Sequence, residues 1–302
     1  MIVTDPSHFR GAIVELDADQ GPATMRAAML VHPRDFSVTR QSVDNHYKHV
    51  TPVDDALALA QHRALVETLG DCGLPVLVFP GSPGLVDAVF PNNAFATAPG
   101  RLIIGSMCHP IRRGETARED IRAFFGDVAG RELIDLSTRP LIAELTGPLI
   151  IDHRRRVGFC GLTQRVDEDG CVAMHEAFGL RLTFRFALQP SEYHTNVVMS
   201  VLAGRALVIH PGSFVDPDAA RAIAELYPGR TLEITDEEKF GFVGNCLALT
   251  DEDLLLSQTA LETLRPSARA TLEAWGFRLR VVDVSEFEKA GGSVRCMTCE
   301  LF

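Results

Sequence analysis

The sequence predicts an α/β protein built as a five-unit pseudo-symmetric propeller, one catalytic domain over residues 1–302 closed by its N- and C-terminal strands. Three observations carry this expectation. Asn93, Glu144, His194, Asn245 and Cys296 recur at intervals of 51, 50, 51 and 51 residues, and a period of this length marks an array or ring of similar units. An order of helix, strand and hairpin recurs around each of them. The last unit stops after one hairpin strand, while the N-terminal segment has a spare strand at 27–31; pairing the two would close the ring and hide both sheet edges. An open βαβ sheet with a binding crevice is the competing architecture, and it explains the spacing less well.

The elements follow in chain order. Thr51 reads as an N-cap with Pro52 in the first turn, and Ala56, Leu57, Leu59, Ala60, Leu65, Val66 and Leu69 have the spacing of an amphipathic helix ending near 70–73. A strand at 75–79 and a hairpin, 93–97 and 102–104 around Pro99-Gly100, complete the unit. The second unit has a helix near 117–125, a strand at 133–136 and a hairpin at 148–151 and 157–160. The third has 172–178, 182–186, 197–201 and 206–209. The fourth has 219–226, 232–234, 246–249 and 254–256. The fifth has 267–275, 278–282 and a final strand over 296–302.

Composition narrows the function. The chain has 46% hydrophobic and 23% charged residues, enough apolar material for a large core. A formal net charge of −11 argues against nonspecific binding to nucleic acid or anionic membrane, and the densest basic run, His153-Arg154-Arg155-Arg156, falls on an expected hairpin turn. Seven scattered cysteines suggest reduced thiols. With no signal-like N-terminus and no apolar run of membrane-spanning length, the chain reads as soluble and cytoplasmic. Its expected partner is a small molecule, with homo-oligomerisation left open.

Three of the five recurring residues form a chemical set. Cys296, after Gly291-Gly292-Ser293, is the candidate nucleophile. His194 is the base or positive neighbour that a thiolate needs, and Glu144 orients the imidazole or holds a cationic nitrogen. Singly, a cysteine or histidine in apolar sequence is commonly a core residue; their repeat-equivalent placement is what points to a site. Cys296-x-x-Cys299 does not suit a metal or disulfide if both lie in one strand, since positions i and i+3 face opposite ways. No second ligand pair for zinc is present, and no phosphate-binding glycine pattern. No metal or cofactor is expected.

Ordered motifs add a resemblance over about residues 27–302: Val86-Asp87-Ala88-Val89-Phe90-Pro91-Asn92-Asn93, Glu144-Leu145-Thr146-Gly147, Gly161-Leu162-Thr163-Gln164-Arg165, Tyr193-His194-Thr195-Asn196, Gly244-Asn245 and Gly291-Gly292-Ser293-Val294-Arg295-Cys296. Together they resemble the pentein, or guanidine-modifying, superfamily of arginine deiminases, dimethylarginine dimethylaminohydrolases, amidinotransferases and dihydrolase relatives, and most nearly bacterial citrulline-utilisation hydrolases. The resemblance implies a five-unit α/β propeller and covalent catalysis at a guanidino or ureido carbon. Cys296 would attack, His194 would shuttle protons, and Glu144 would accompany the histidine. Arg165 would bind the substrate α-carboxylate, with Asn93, Asn92, Asp87 and Asn245 in the substrate-binding set.

Two departures bear on the substrate. Where many arginine-specific relatives have an Asp to grip the guanidinium, this chain has Asn93, and where they have an Asp after Glu-Gly-Gly it has Pro148. Fewer carboxylates weaken the attraction for a cation, while an amide still hydrogen-bonds a neutral ureido group. Citrulline, or arginine hydrolysed stepwise through citrulline, is therefore favoured. An amidinotransferase and a catalytically silent binding propeller remain the alternatives.

Overall fold

The computed structural model describes residues 1–16, 21–38 and 44–302 of the 302-residue chain. The strands, in chain order, are β1 (Ile2–Val3), β2 (Ala27–Val31), β3 (Val76–Phe79), β4 (Phe95–Ala98), β5 (Arg101–Ile104), β6 (Glu132–Asp135), β7 (Leu149–Asp152) and β8 (Val157–Leu162), followed by β9 (Leu182–Ala187), β10 (Met199–Leu202), β11 (Ala206–Ile209), β12 (Thr231–Glu233), β13 (Leu247–Ala248), β14 (Asp253–Ser257), β15 (Arg278–Val282) and β16 (Cys299–Leu301). They form five small sheets, β16-β2-β3, β4-β5-β6, β1-β9-β8-β7, β10-β11-β12 and β13-β14-β15.

Each sheet repeats one logic. An inner strand pairs antiparallel with the middle strand, through a short connection in four of the five, and the middle strand pairs parallel with an outer one. A parallel neighbour requires a crossover, which the helical segment of each unit supplies. β2 takes the middle place in its sheet: β16 runs antiparallel to it with Cys299 opposite Met29 and Leu301 opposite Ala27, and β3 is parallel to it.

The inner strands read as almost unbroken apolar runs because both of their faces are covered. β4, β7 and β10 are buried at every position, and β16 packs against β4 while β10 packs against both β7 and β13. Hydrogen bonds cross these sheet-to-sheet seams: Thr97 Oγ1 donates to Glu300 O at 3.1 Å, and Ser200 Oγ donates to Cys246 O at 2.7 Å.

Several local expectations shift. The first long helix is Asp55–Asp71, and its N-cap is Asp54, whose carboxylate accepts from Leu57 N at 3.0 Å; Thr51 Oγ1 is turned to His49 O instead. The expected helix near 117–125 is broken into Arg113–Thr116, Glu119–Ala123 and a wide turn over Phe124–Val128. Periodicity did not foretell the N-terminal helix Pro6–Val14, capped by Asp5, or β1, which adds a fourth strand beside β9. The final strand starts at Cys299, so Cys296 lies on the preceding turn, and the opposite-face argument for Cys296 and Cys299 does not apply. Among the described residues all seven cysteines are free, and no helix is long and apolar enough to cross a membrane.

Leu301 is buried in the closing strand. Leu301→Ala is expected to lower unfolding free energy by about 2–5 kcal/mol, read as a shift of the urea midpoint; an unchanged midpoint would mean that this strand adds little to the fold.

Candidate active site

All five recurring residues lie on the turns that lead into the inner strands. Asn93 ends the short helix Pro91–Asn93, Glu144 precedes β7, His194 caps Thr195–Val197, Asn245 ends Val243–Asn245, and Cys296 precedes β16. Neighbouring turns are stitched to each other. Asn92 O accepts from Thr146 N and Oγ1, Gly147 O accepts from Asn196 N at 3.0 Å, Asn196 O accepts from Asn245 Nδ2 at 2.8 Å, and Asn245 Oδ1 accepts from Arg295 N at 3.1 Å. Repeat-equivalent positions thus become neighbours at one end of the ring.

Gly147 is required by this closeness. A Cβ there would sit 2.7 Å from Asn93 Nδ2 and 2.7 Å from His194 Cε1 and Nε2, well inside van der Waals contact. At Leu145, two residues earlier, φ is 38°, a left-handed conformation that bends the turn presenting Glu144.

Glu144 is fully buried and its carboxylate is the hub of the cluster. Oε2 accepts from Arg165 Nη1 at 2.9 Å and lies 3.0 Å from His194 Nε2; Oε1 accepts from Cys108 N at 3.2 Å. Burial pushes this acid up, but Arg165, His194 and Arg112 more than offset it and hold Glu144 below the usual carboxylate range. An ionised Glu144 accepts only, so the His194 proton sits on Nε2 and the lone pair on Nδ1. His194 Nδ1 is buried without a protein partner. Burial lowers the His194 pKa to about 4 against the pull of Glu144, so the ring is neutral at neutral pH.

Cys296 is 2% exposed. Its Sγ lies 3.4 Å from Asn245 Nδ2 and 3.7 Å from Asn196 Nδ2. Burial raises its pKa, opposed by the Ser293 backbone N–H and the Asn245 amide. Cys296 and His194 both line a small cavity of about 30 Å³, together with Asn45, Lys48, Asp87, Asn93, Arg112 and Arg165.

The sequence-predicted set divides here. Cys296, His194, Asn93, Asp87 and Arg165 line the cavity, with Glu144 directly behind His194. Asn92 and Asn245 are not among the lining residues. The Asn92 amide is turned to Thr146 Oγ1 of the next unit, and Asn245 stands behind the sulfur; these two are positioned to hold turns and thiol rather than to touch a ligand. Periodicity missed Arg112, which is buried, donates two hydrogen bonds to the Glu115 carboxylate at 2.9 and 2.7 Å and donates from Nη1 to Asn93 Oδ1 at 2.9 Å. It also missed Asp44, Asn45 and Lys48. These lie outside the repeat, so no spacing signal marked them. Among the described residues no group of three or more His, Cys, Asp or Glu side chains is placed to hold a metal ion.

Fold and site together define a pentein-type α/β propeller with a cysteine, a histidine and a carboxylate at one end of its axis. Residues 32–302 match the family model described as N,N dimethylarginine dimethylhydrolase, eukaryotic, and the chain belongs to that family. It is 26% identical over 299 residues to an N(G),N(G)-dimethylarginine dimethylaminohydrolase of Mycobacterium tuberculosis, covering 98% of this chain and 92% of the relative. The substrate-bound N-terminal domain of ArgZ, a cyanobacterial arginine dihydrolase, superposes with a TM-score of 0.80 at 20% identity, covering 91% of this chain and 97% of that one. A dimethylarginine dimethylaminohydrolase carrying an S-methyl-L-thiocitrulline adduct gives a TM-score of 0.73 at 21% identity over 92% of this chain and 100% of the other.

Two outcomes test this geometry. Alkylation of Cys296 by iodoacetamide, followed by mass spectrometry, is expected to keep accelerating beyond the pH at which an exposed thiol levels off, because burial raises its pKa; a plateau below neutral pH would contradict the described environment. Gly147→Ala is expected to destabilise the fold by about 1–3 kcal/mol, measured by urea unfolding, since either His194 or the turn must move.

Proposed function

We propose that this protein is a cysteine-dependent hydrolase of a C–N bond in an α-amino acid with a neutral ureido group, citrulline, or arginine carried through citrulline. The observation that carries this reading is the orientation of Asn93. Arg112 donates to Asn93 Oδ1, and a guanidinium cannot accept, so the amide NH₂ is fixed on the other side. That Nδ2 is buried without a protein partner on a cavity-lining residue. A bare donor there meets the ureido carbonyl oxygen of citrulline, whereas the guanidinium of arginine offers only donors. Lys48, Arg112 and Arg165 also line the cavity, with Asp87 as the acidic lining residue, which suits a neutral side chain with an anionic α-carboxylate.

The chemistry follows from the chain's own groups. The Cys296 thiol gives its proton to His194 Nδ1 as Sγ bonds to the ureido carbon, and the oxygen that gains charge is held by Asn93 Nδ2. His194 then protonates the departing nitrogen as its C–N bond breaks, leaving an S-linked carbonyl. With its lone pair free again, His194 takes a proton from water, the hydroxide adds, and the C–S bond breaks to restore the thiol. Glu144 stabilises the imidazolium in both halves. Hydrolysis leaves a carbamic acid, whose remaining C–N bond breaks spontaneously with loss of carbon dioxide, so the sum is citrulline plus water to ornithine, ammonia and carbon dioxide. With arginine, one earlier round replaces an imino nitrogen by oxygen and releases one more ammonia. Relatives named as dimethylarginine dimethylaminohydrolase and arginine dihydrolase support hydrolysis at a guanidino-type carbon.

The test is a panel of citrulline, arginine, methylated arginines and agmatine, with products followed by mass spectrometry beside Cys296→Ser. Ornithine from citrulline, lost in the variant, is expected. Citrulline as the final product from arginine or methylarginine would defeat the proposal, and an amidino group transferred to added glycine, lysine or ornithine would assign a transferase. Asn93→Asp is expected to lower kcat/KM for citrulline by about 10²-fold or more, the size of losing one oxyanion donor.

A further inference from the structure

Arg165 is expected from resemblance to receive a substrate carboxylate, yet in this structure its fork already holds one. Nε donates to Asp44 Oδ2 at 2.6 Å and Nη2 to Asp44 Oδ1 at 3.1 Å, the two-point geometry a free α-carboxylate would adopt on that edge. Nη1 is spent on Glu144. Asp44 opens a segment laid over the cavity and tied down on the far side: Asn45 Nδ2 donates to Ala290 O at 3.1 Å, Tyr47 Oη to Glu192 at 2.8 Å, and His49 N to Lys289 O at 2.8 Å. Asn45 and Lys48 of this segment line the same cavity as Arg165, His194 and Cys296. A ligand carboxylate that is to use that edge of Arg165 must therefore displace Asp44.

We infer that Asp44 is a built-in stand-in for the substrate α-carboxylate, exchanging with it at Arg165, so that a carboxylate on the ligand is a condition of admission. The inference rests on the proposal that the substrate is an α-amino acid. Its physical basis is the cost of a buried, half-paired guanidinium: a ligand without a carboxylate would displace Asp44 and leave that edge of Arg165 bare. The displaced Asp44 keeps a partner, because His109 Nε2 lies 2.9 Å from its Oδ1 and is itself partly exposed. Asp44 is thus a specificity-determining residue that acts by competition.

The experiment compares the native protein, Asp44→Asn and Asp44→Glu, each checked for folding by thermal unfolding. Calorimetry measures binding of L-ornithine and L-norvaline and of their decarboxylated counterparts, putrescine and butylamine. Asp44→Asn is expected to bind both acids about tenfold or more tightly and to leave the amines within about twofold, while Asp44→Glu, which keeps a competing carboxylate, shows no such gain. Unchanged or weaker acid binding in Asp44→Asn, equal tightening of acids and amines, or no detectable acid binding to any of the three overturns the inference. Citrulline turnover is scored separately. Turnover without the Asp44→Asn effect removes the exchange alone, and the effect without turnover removes the ureido-hydrolase reading alone.

Discussion

The site depends on the stitching of one unit's turn to the next. Thr146 reaches back to Asn92, Asn196 to Gly147, Asn245 to Asn196, and Arg295 to Asn245, so each turn is held by a neighbour about fifty residues away. Apart from the half-buried Thr146, these residues are buried, and a buried donor or acceptor left unpaired costs about 1–3 kcal/mol. The turns therefore cannot drift apart singly. That rigidity fixes Asn93, His194 and Cys296 around one small space, and it demands glycine at 147, where neighbouring side chains leave no room for a Cβ.

Charge distribution follows from that geometry. Glu144 would be neutral in an apolar interior, and it stays ionised because Arg165, His194 and a backbone N–H converge on it. Its charge sets the histidine tautomer and leaves the reactive lone pair on Nδ1. Arg112 plays a parallel part for Asn93: held by Glu115, it fixes which end of an amide faces the cavity. Two arginines thus decide the protonation and orientation of the cavity's polar groups. Asp44 extends the same network outward, so the segment at 44–49 and Glu144 share one guanidinium.

Most of the architecture is legible along the chain. The fifty-residue period, the apolar inner strands and the missing hairpin strand of the last unit lead to five sheets and to the pairing of Cys299–Leu301 with Ala27–Val31. Boundaries are less legible. Thr51 and Asp54 are both good caps, and only the position of the first free N–H chooses Asp54. Cys296 looks like part of a strand because apolar residues surround it, but a turn buried between sheets has the same composition as a strand.

The identity and equivalence of Asn93, Glu144, His194, Asn245 and Cys296 are set along the chain, because a repeat period is written in it. Only packing selects which side chains face the cavity and which hold it together: Asn92 and Asn245 turn to neighbouring units, while Arg112, Asn45 and Lys48, with no place in the period, become its walls. The reason is physical. Periodicity records backbone position, but the direction of an amide or guanidinium is set by the partner packed against it, and those partners come from distant parts of the chain.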